Sequence, residues 1–183
     1  MKIAALALVV CVLAVASLLF GSADVSLKDL LRLLSHNDDP GLSTIVLDIR
    51  LPRTLLALLV GAGVSASGAA IQGMFRNPLA DPALIGVSAG AALFAAMYVV
   101  LDGSQGLSLI GMTGSAFVGG LLTTWIVLVV GGRGGGLSTI LLAGIAINAI
   151  ALSGVGMLSY LSTDMQLRSI SFWALGSLNG ANW

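Results

Sequence analysis

Gly86-Val87-Ser88-Ala89-Gly90 matches G-x-S-x-G, the pattern that bends a strand into a helix and presents a serine nucleophile in hydrolases. Such a serine attacks only when a histidine within hydrogen-bond reach takes its proton. The chain holds one histidine, His36, in a polar stretch well upstream, and Ser88 stands inside an apolar run. The pattern therefore reads as small residues that pack against a neighbouring helix or line a path, and no catalytic residue is assigned. Gly131-Gly132-Arg133-Gly134-Gly135-Gly136-Leu137-Ser138 has the glycine content of a phosphate-binding loop. It carries Leu137 where the phosphate-binding lysine belongs and follows no soluble strand, so it reads as an inter-helix loop. The chain carries no ATPase signature. His36 with Asp38 and Asp39 is the grouping closest to metal-ligand chemistry. A turn-rich loop of this kind is more often solvated than liganded. With no glutamate and no second histidine in the chain, neither a metal nor a cofactor is expected.

What remains is polar chemistry inside apolar surroundings. Gln72 and Asn148 fall within apolar runs, and Asn77 follows one directly. Intramembrane amides face another helix or a water-filled cavity, so Gln72, Asn77, Ser88 and Asn148 either bond across helix interfaces or line a path. The composition demands this setting. Residues are 57% apolar and 9% charged, against about 25% charged in a soluble domain. A formal net charge of zero gives no support for nucleic-acid binding. The single cysteine, Cys11, has no partner for an internal disulfide.

Five apolar segments have the length to cross a bilayer: Ile3–Phe20, Leu55–Phe75, Ala83–Leu101, Leu107–Val130 and Leu137–Leu161. The first is longer than the apolar core of a secretory signal and four more follow, so it reads as an uncleaved span. The fold class is thus all-α, a polytopic membrane helix bundle. Between the first two spans, Ser26 and Asp29 form a capping box for an amphipathic helix over residues 26–35, with Leu27, Leu30, Leu31 and Leu34 as its apolar stripe. It is expected to lie at the membrane surface. Residues 36–41 read as a turn-rich loop, and Pro52 suits the first turn of the second span. Asp81 and Pro82 are placed as N-cap and first residue of the third span. Thr163 with Gln166 predicts a second short interfacial helix over 164–175, closed by Gly176. Trp173 and Trp183 fit an aromatic belt.

Two spans carry small residues at every fourth position: Gly61, Ser65, Ala69 and Gly73 in the second, Gly111, Ser115 and Gly119 in the fourth. Such faces let helix backbones approach closely in lipid, and both are expected to be packing surfaces. The second and third spans are joined by Arg76-Asn77-Pro78-Leu79-Ala80-Asp81-Pro82. An Arg or Asp at a bilayer centre costs about 2.5–3.5 kcal/mol, and irregular backbone there needs hydrogen-bond partners. The joint must sit at the water interface or inside protein.

The run RLPRTLLALLVGAGVSASGAAIQGMFRNPLADPALIGVSAGAA, from Arg50 to Ala92, closely resembles the permease subunits of bacterial ABC importers for iron chelates, haem and cobalamin, the FecCD-type family. LLAGIAINAI (Leu141–Ile150) and QLRSISFWALGSLNGANW (Gln166–Trp183) resemble the same family in register, with the haem branch nearest. The resemblance implies a transport subunit of about ten spans in the bacterial inner membrane, not an enzyme. It further implies a homodimer with a second permease copy, separate ATP-binding subunits and a periplasmic substrate-binding protein. On this reading the chain is the N-terminal part of such a permease, with five of its spans. The two arginines of the R-L-P-R motif, here Arg50 and Arg53, would meet carboxylates of the binding protein at the periplasmic mouth.

The same resemblance places the N-terminus in the cytoplasm. Lys2, Arg76 and Arg133 then lie inside, and Lys28, Arg32, Arg50, Arg53 and Arg168 outside. That count opposes the positive-inside rule, and docking charges among the outer arginines supply a physical reason. The competing class is an ion-coupled secondary transporter or channel, suggested by the glycine-rich spans and the broken connection near Pro78 and Pro82. Such transporters often keep an acidic residue inside a span, and the five apolar segments contain none.

Overall fold

The computed structural model describes residues 2–21, 23–35, 39–101, 108–132 and 136–183. His36, Asn37 and Asp38, the start of the fourth span at Leu107, and Arg133 to Gly135 of the glycine-rich loop lie outside the described residues. Every described element is helical. Among the described residues four helices are long and apolar enough to cross a bilayer: Lys2–Leu19, Pro40–Phe75, Ile110–Gly131 and Gly136–Leu161. The chain divides into two compact units, residues 1–64 with 177–183, and residues 65–176.

In the first unit, α1 (Lys2–Leu19) is apolar on every side and buries none of its residues within the chain. A helix apolar all round is solvated by lipid or by other helices. The amphipathic helix α2 (Leu27–Leu34) starts at the expected box: Ser26 Oγ accepts from Asp29 N–H at 3.3 Å and Asp29 Oδ2 from Ser26 N–H at 3.0 Å. The next helix departs from expectation. Asp39 caps a short α3 (Pro40–Ser43), its carboxylate accepting from Gly41 N–H at 3.0 Å. From there the backbone continues helically through a π-wound segment, Thr44–Arg50, into α4 (Leu51–Phe75). The loop expected at 36–41 therefore ends in a helix start, and Pro52 lies inside a helix of 36 residues instead of in its first turn.

The physical reason is local. A proline inside an α-helix removes one bond and crowds the carbonyl four residues back. Here the turns before Pro52 are wound with bonds to the fifth residue back, ending with Leu51 N–H to Val46 O. A π-bulge is a recognised way to absorb such a disruption without ending the helix. Asp39-Pro40 is the same cap-and-proline device as Asp81-Pro82, and it carried the signal for the earlier start.

In the second unit α4 ends in a Schellman motif, with Asn77 N–H on Gln72 O at 3.2 Å and Arg76 N–H on Gly73 O at 3.3 Å. Arg76 occupies the left-handed position at φ 49°. The third span is then divided. Pro82–Ile85 forms a 3-10 turn capped by Asp81, Gly86 reverses the backbone at φ 85°, and α5 (Val87–Leu101) follows with 15 residues. Fifteen residues rise about 22 Å, so α5 is shorter than the single span expected over 83–101. Asp81 and Pro82 start the 3-10 turn and not the α-helix.

Helices α6 (Leu109–Gly131) and α7 (Gly136–Leu161) pack with α5. The backbones of α5 and α6 come so close that a Cβ on Gly90 would collide with Thr123, and one on Gly119 would meet Gly90 O at 2.5 Å. At Gly111 the occupant is the Tyr98 ring, its hydroxyl 2.5 Å from an added Cβ. Ser115 is half-buried and bonds Met112 O at 2.9 Å. By contrast Gly61, Ser65, Ala69 and Gly73 on α4 are exposed, and added Cβ atoms on Gly61 and Gly73 meet nothing within 4 Å.

The short helix α8 (Asp164–Leu175) docks on α5. Gln166 Oε1 accepts from Thr163 N–H at 2.9 Å while its Nε2 donates to Val99 O at 3.2 Å and Val100 O at 3.4 Å. Ile170 is buried against Ala96 and Val99 beside it. Here a glutamine is needed, because one end must accept and the other must donate.

Two outcomes test these local assignments. Arg76→Gly should raise the stability of the chain by about 1 kcal/mol, since glycine adopts the left-handed position without the Cβ clash; thermal unfolding in detergent micelles measures it, and a loss of stability would show that the arginine side chain contributes more than its strain costs. The Ser26 hydrogen bonds, followed by Arg32, lower the Asp29 pKa below its usual value. A depressed carboxylate stabilises above its unfolded pKa and loses that contribution as pH falls through the folded one. Amide exchange of α2 should accelerate as pH drops below about 4, after correction for intrinsic rates, and Asp29→Asn should flatten that dependence.

Candidate functional site

Two groups of residues chosen from sequence occupy structured positions, one in each unit. In the first unit, Arg50 ends the π-wound segment and is buried, with 8% of its surface exposed. Its guanidinium donates to Leu18 O at 2.7 Å, Leu19 O at 2.8 Å and Ala23 O at 2.5 Å. The last carbonyls of α1 have no intrahelical donors and carry the negative end of the helix dipole. Arg50 supplies both donors and charge there. Gly21 makes room for it, since a Cβ would lie 2.8 Å from the guanidinium nitrogen. One turn later, Thr54 is buried and shares its hydroxyl between Arg50 O at 2.9 Å and Ser17 Oγ at 3.0 Å.

Arg53 lies on the same side of the helix, three residues on, in a different environment. It is half-buried; Nη2 reaches Asn179 O at 3.5 Å, the limit of a hydrogen bond, and Nε is buried without a partner among the described residues. The pair read from R-L-P-R thus separates by role: Arg50 fastens the end of α1, and Arg53 keeps donor capacity to spare.

In the second unit the joint satisfies its backbone piece by piece. Gln72 Nε2 donates to Pro78 O at 3.0 Å, and Asn77 Oδ1 accepts from Leu79 N–H at 2.9 Å. Asp81 Oδ1 accepts from Ala83 N–H at 2.7 Å. Asn148, reaching across from α7, donates to Ala83 O at 2.7 Å, and the Thr123 hydroxyl of α6 shares its one hydrogen among Gly86 O at 3.1 Å and, on its own helix, Gly119 O at 2.9 Å and Gly120 O at 3.1 Å. Both carbonyls also accept backbone donors, Ala83 O from Gly86 N–H at 3.1 Å and Gly86 O from Gly90 N–H at 2.9 Å, so the two side chains bring a second bond to each and tie the break to its neighbouring helices. Beneath them Gly144 lets the turn sit directly on α7: a Cβ there would collide with Leu84 O. Phe75, Ala80, Ile85, Val127 and Ala143 form the apolar cluster around the turn. Gln72, Asn77 and Asn148 are therefore brought to one feature. Ser88 is two residues beyond it, exposed at the start of α5 in a 3-10-to-helix setting without the strand that a nucleophile elbow needs.

Thr123 and Gly144 were not picked from the sequence. A threonine among leucines and a glycine in Leu-Leu-Ala-Gly-Ile carry little local signal, and their partners lie on another element. Among the described residues, no group of three His, Cys, Asp or Glu side chains is placed to hold a metal.

Residues 7–183 match the FecCD transport family. The chain belongs to that family. Among its relatives is the hemin transport system permease protein HmuU of Yersinia pestis, 44% identical over 175 residues, which cover 94% of this chain and 52% of that protein. The vitamin B12 import system permease protein BtuC of Escherichia coli is 42% identical over 138 residues, covering 75% of this chain and 42% of BtuC. A solved metal-chelate-type ABC transporter in an inward-facing conformation superposes with a TM-score of 0.83 at 33% identity, over 98% of this chain and 54% of that one. The FecCD chain described here thus spans about half the length of the relatives it matches. In this FecCD chain, as in its relatives, the helical arrangement is that of a transport permease.

The break at 82–86 makes a clear demand on Gly144. Gly144→Ala should displace the 3-10 turn from α7, destabilising the chain by roughly 1–3 kcal/mol as overpacked cores do. Faster amide exchange at Leu84–Gly86 would register it, and exchange equal to wild type would mean that the turn is not seated on α7.

Proposed function

We propose that this chain is part of the permease subunit of an ATP-driven importer that carries an iron chelate, haem or a siderophore complex, from periplasm to cytoplasm. It lies in the bacterial inner membrane as a multi-pass protein with its N-terminus in the cytoplasm. It assembles with a second permease copy and with ATP-binding subunits that supply the energy, and it catalyses no reaction itself. The observation that carries this reading is the family match along residues 7–183, with the fold likeness over nearly the whole chain. Haem is favoured over cobalamin by the 44% identity to a hemin permease, which extends over 94% of the chain.

In this assembly the periplasmic substrate-binding protein docks at Arg53 and Arg50. The two cations stand on one side of the helix, and Arg53 has a guanidinium Nε without a partner among the described residues. A carboxylate from the binding protein would complete it with a charge-assisted bond. Arg50 is committed to the end of α1, so its contribution is the field of its charge and not a direct contact. On the opposite side of the membrane the joint from Asn77 to Pro82 forms the inner turn. Gln72 and Asn148 support it, and Ser88 opens the helix that follows. The small faces of α4 (Gly61, Ser65, Ala69, Gly73) and α6 (Gly111, Ser115, Gly119) serve helix packing, the first against parts of the permease beyond the neighbours present in this chain.

The test is a charge reversal. Arg53→Glu, made in the complete permease, should slow association with the binding protein by about tenfold at low salt and by less at physiological salt, because the Debye length shortens. Arg50→Glu should act chiefly through loss of stability. Equal association rates for wild type and Arg53→Glu at low salt would remove the docking site.

A further inference from the structure

The π-wound segment before Pro52 leaves one carbonyl without its helical donor, and a residue remote in sequence reaches it. In Thr44–Arg50 each bond runs to the fifth residue back, the last from Leu51 N–H to Val46 O. The next bond in that register would come from residue 52 to Leu47 O, and residue 52 is a proline without an N–H. Trp183 Nε1 donates to that same Leu47 carbonyl at 2.9 Å. An indole N–H is a donor only, so it supplies what Pro52 lacks. The contact lies inside the first unit, and the segment carrying Trp183 touches the helix a second time, where Arg53 reaches Asn179 O.

We infer that Trp183 is a positioning residue: its indole N–H stands in for the missing Pro52 N–H, closes the π-wound turn and holds the register in which Arg50 and Arg53 leave the helix. The register matters because a change of one residue rotates everything upstream by about 100° relative to the span below. Arg50 sits at that junction and Arg53 half a turn to one turn below it. Losing the latch would swing the Arg50 side of the pair relative to the Arg53 side. Arg50 is itself anchored to Leu18 O, Leu19 O and Ala23 O, so the turn is held from two directions. The docking role of the arginines belongs to the proposed function, and the latch rests on it only for its consequence in transport.

The decisive experiment is a mutant cycle on the chain in lipid nanodiscs, without binding protein, read by amide hydrogen exchange at residues 48–51. Trp183→Phe keeps the aromatic ring and removes the donor, while Pro52→Ala restores a backbone donor. Trp183→Phe is expected to accelerate exchange about three- to tenfold with Pro52 present, the effect of one hydrogen bond, and by less than about twofold in the Pro52→Ala background. No acceleration with Pro52 present, or the same acceleration in both backgrounds, would overturn the inference, the latter because Trp183 would then act by packing. Should Trp183→Phe fail to fold, the indole N–H of Trp183 is followed directly: protected in wild type and faster-exchanging in Pro52→Ala if the latch exists, equal in both if it does not. These readings are independent of docking. A coupled Trp183–Pro52 pair with unaltered binding by Arg53→Glu would retain the latch and discard the docking site.

Discussion

Where a helix is interrupted, each backbone N–H and C=O set loose must find a new partner, and among the described residues two such interruptions, at Pro52 and from Pro82 to Gly86, shape the contacts around them. At Pro52 the ladder loses a donor, and from Pro82 to Gly86 a 3-10 turn and a left-handed glycine break the helix. An unsatisfied group in an apolar environment costs several kcal/mol. Side chains from elsewhere bond at both breaks: Trp183 takes the open carbonyl at the first, with Arg50 serving the end of α1 next to it, and Asn148 and Thr123 bring second bonds to carbonyls at the second. Each comes from an element other than the one it completes, so each satisfied carbonyl is also a tertiary contact.

That arrangement explains how a chain with few charges and little buried large apolar surface holds specific structure. Lipid solvates leucine as well as another helix does, so hydrophobic burial selects no particular packing. Close backbone contact and polar bonds do. In the second unit the α5–α6 interface is built from Gly90, Gly119 and Thr123, with Gly111 beneath the Tyr98 ring, and the core clusters are small. Gln166 joins α8 to the end of α5 in the same manner, by a bond to carbonyls that a helix terminus leaves open.

In this FecCD chain these breaks are also the places where polar groups gather. The turn from Asn77 to Pro82 assembles Gln72, Asn77, Asp81 and Asn148 around one short irregular segment, while the R-L-P-R motif combines a proline with two cations. A proline that would disturb a helix interior is retained beside a charged pair because the π-wound turn absorbs it. The same winding gives the arginines a defined exit direction.

Much of this was legible in the sequence. The apolar runs, the Ser26–Asp29 and Thr163–Gln166 capping boxes and the family-like run from Arg50 to Ala92 each depend on residues close together in the chain, and short-range rules read them directly. Length and hydropathy alone called for a membrane helix bundle. The start of the second long helix at Pro40 was also written locally, in Asp39-Pro40, whereas the seating of the break at Gly86 and the different environments of Arg50 and Arg53 were settled by contacts between distant residues. Leu18, Leu19 and Ala23 decide what Arg50 does; Thr123, Gly144 and Asn148 decide where the 3-10 turn sits; Trp183 completes the turn that Pro52 opens. Local sequence determines which backbone groups lose their helical partners, whereas only the tertiary structure decides which side chains replace them, because a hydrogen bond depends on proximity in space and not in sequence.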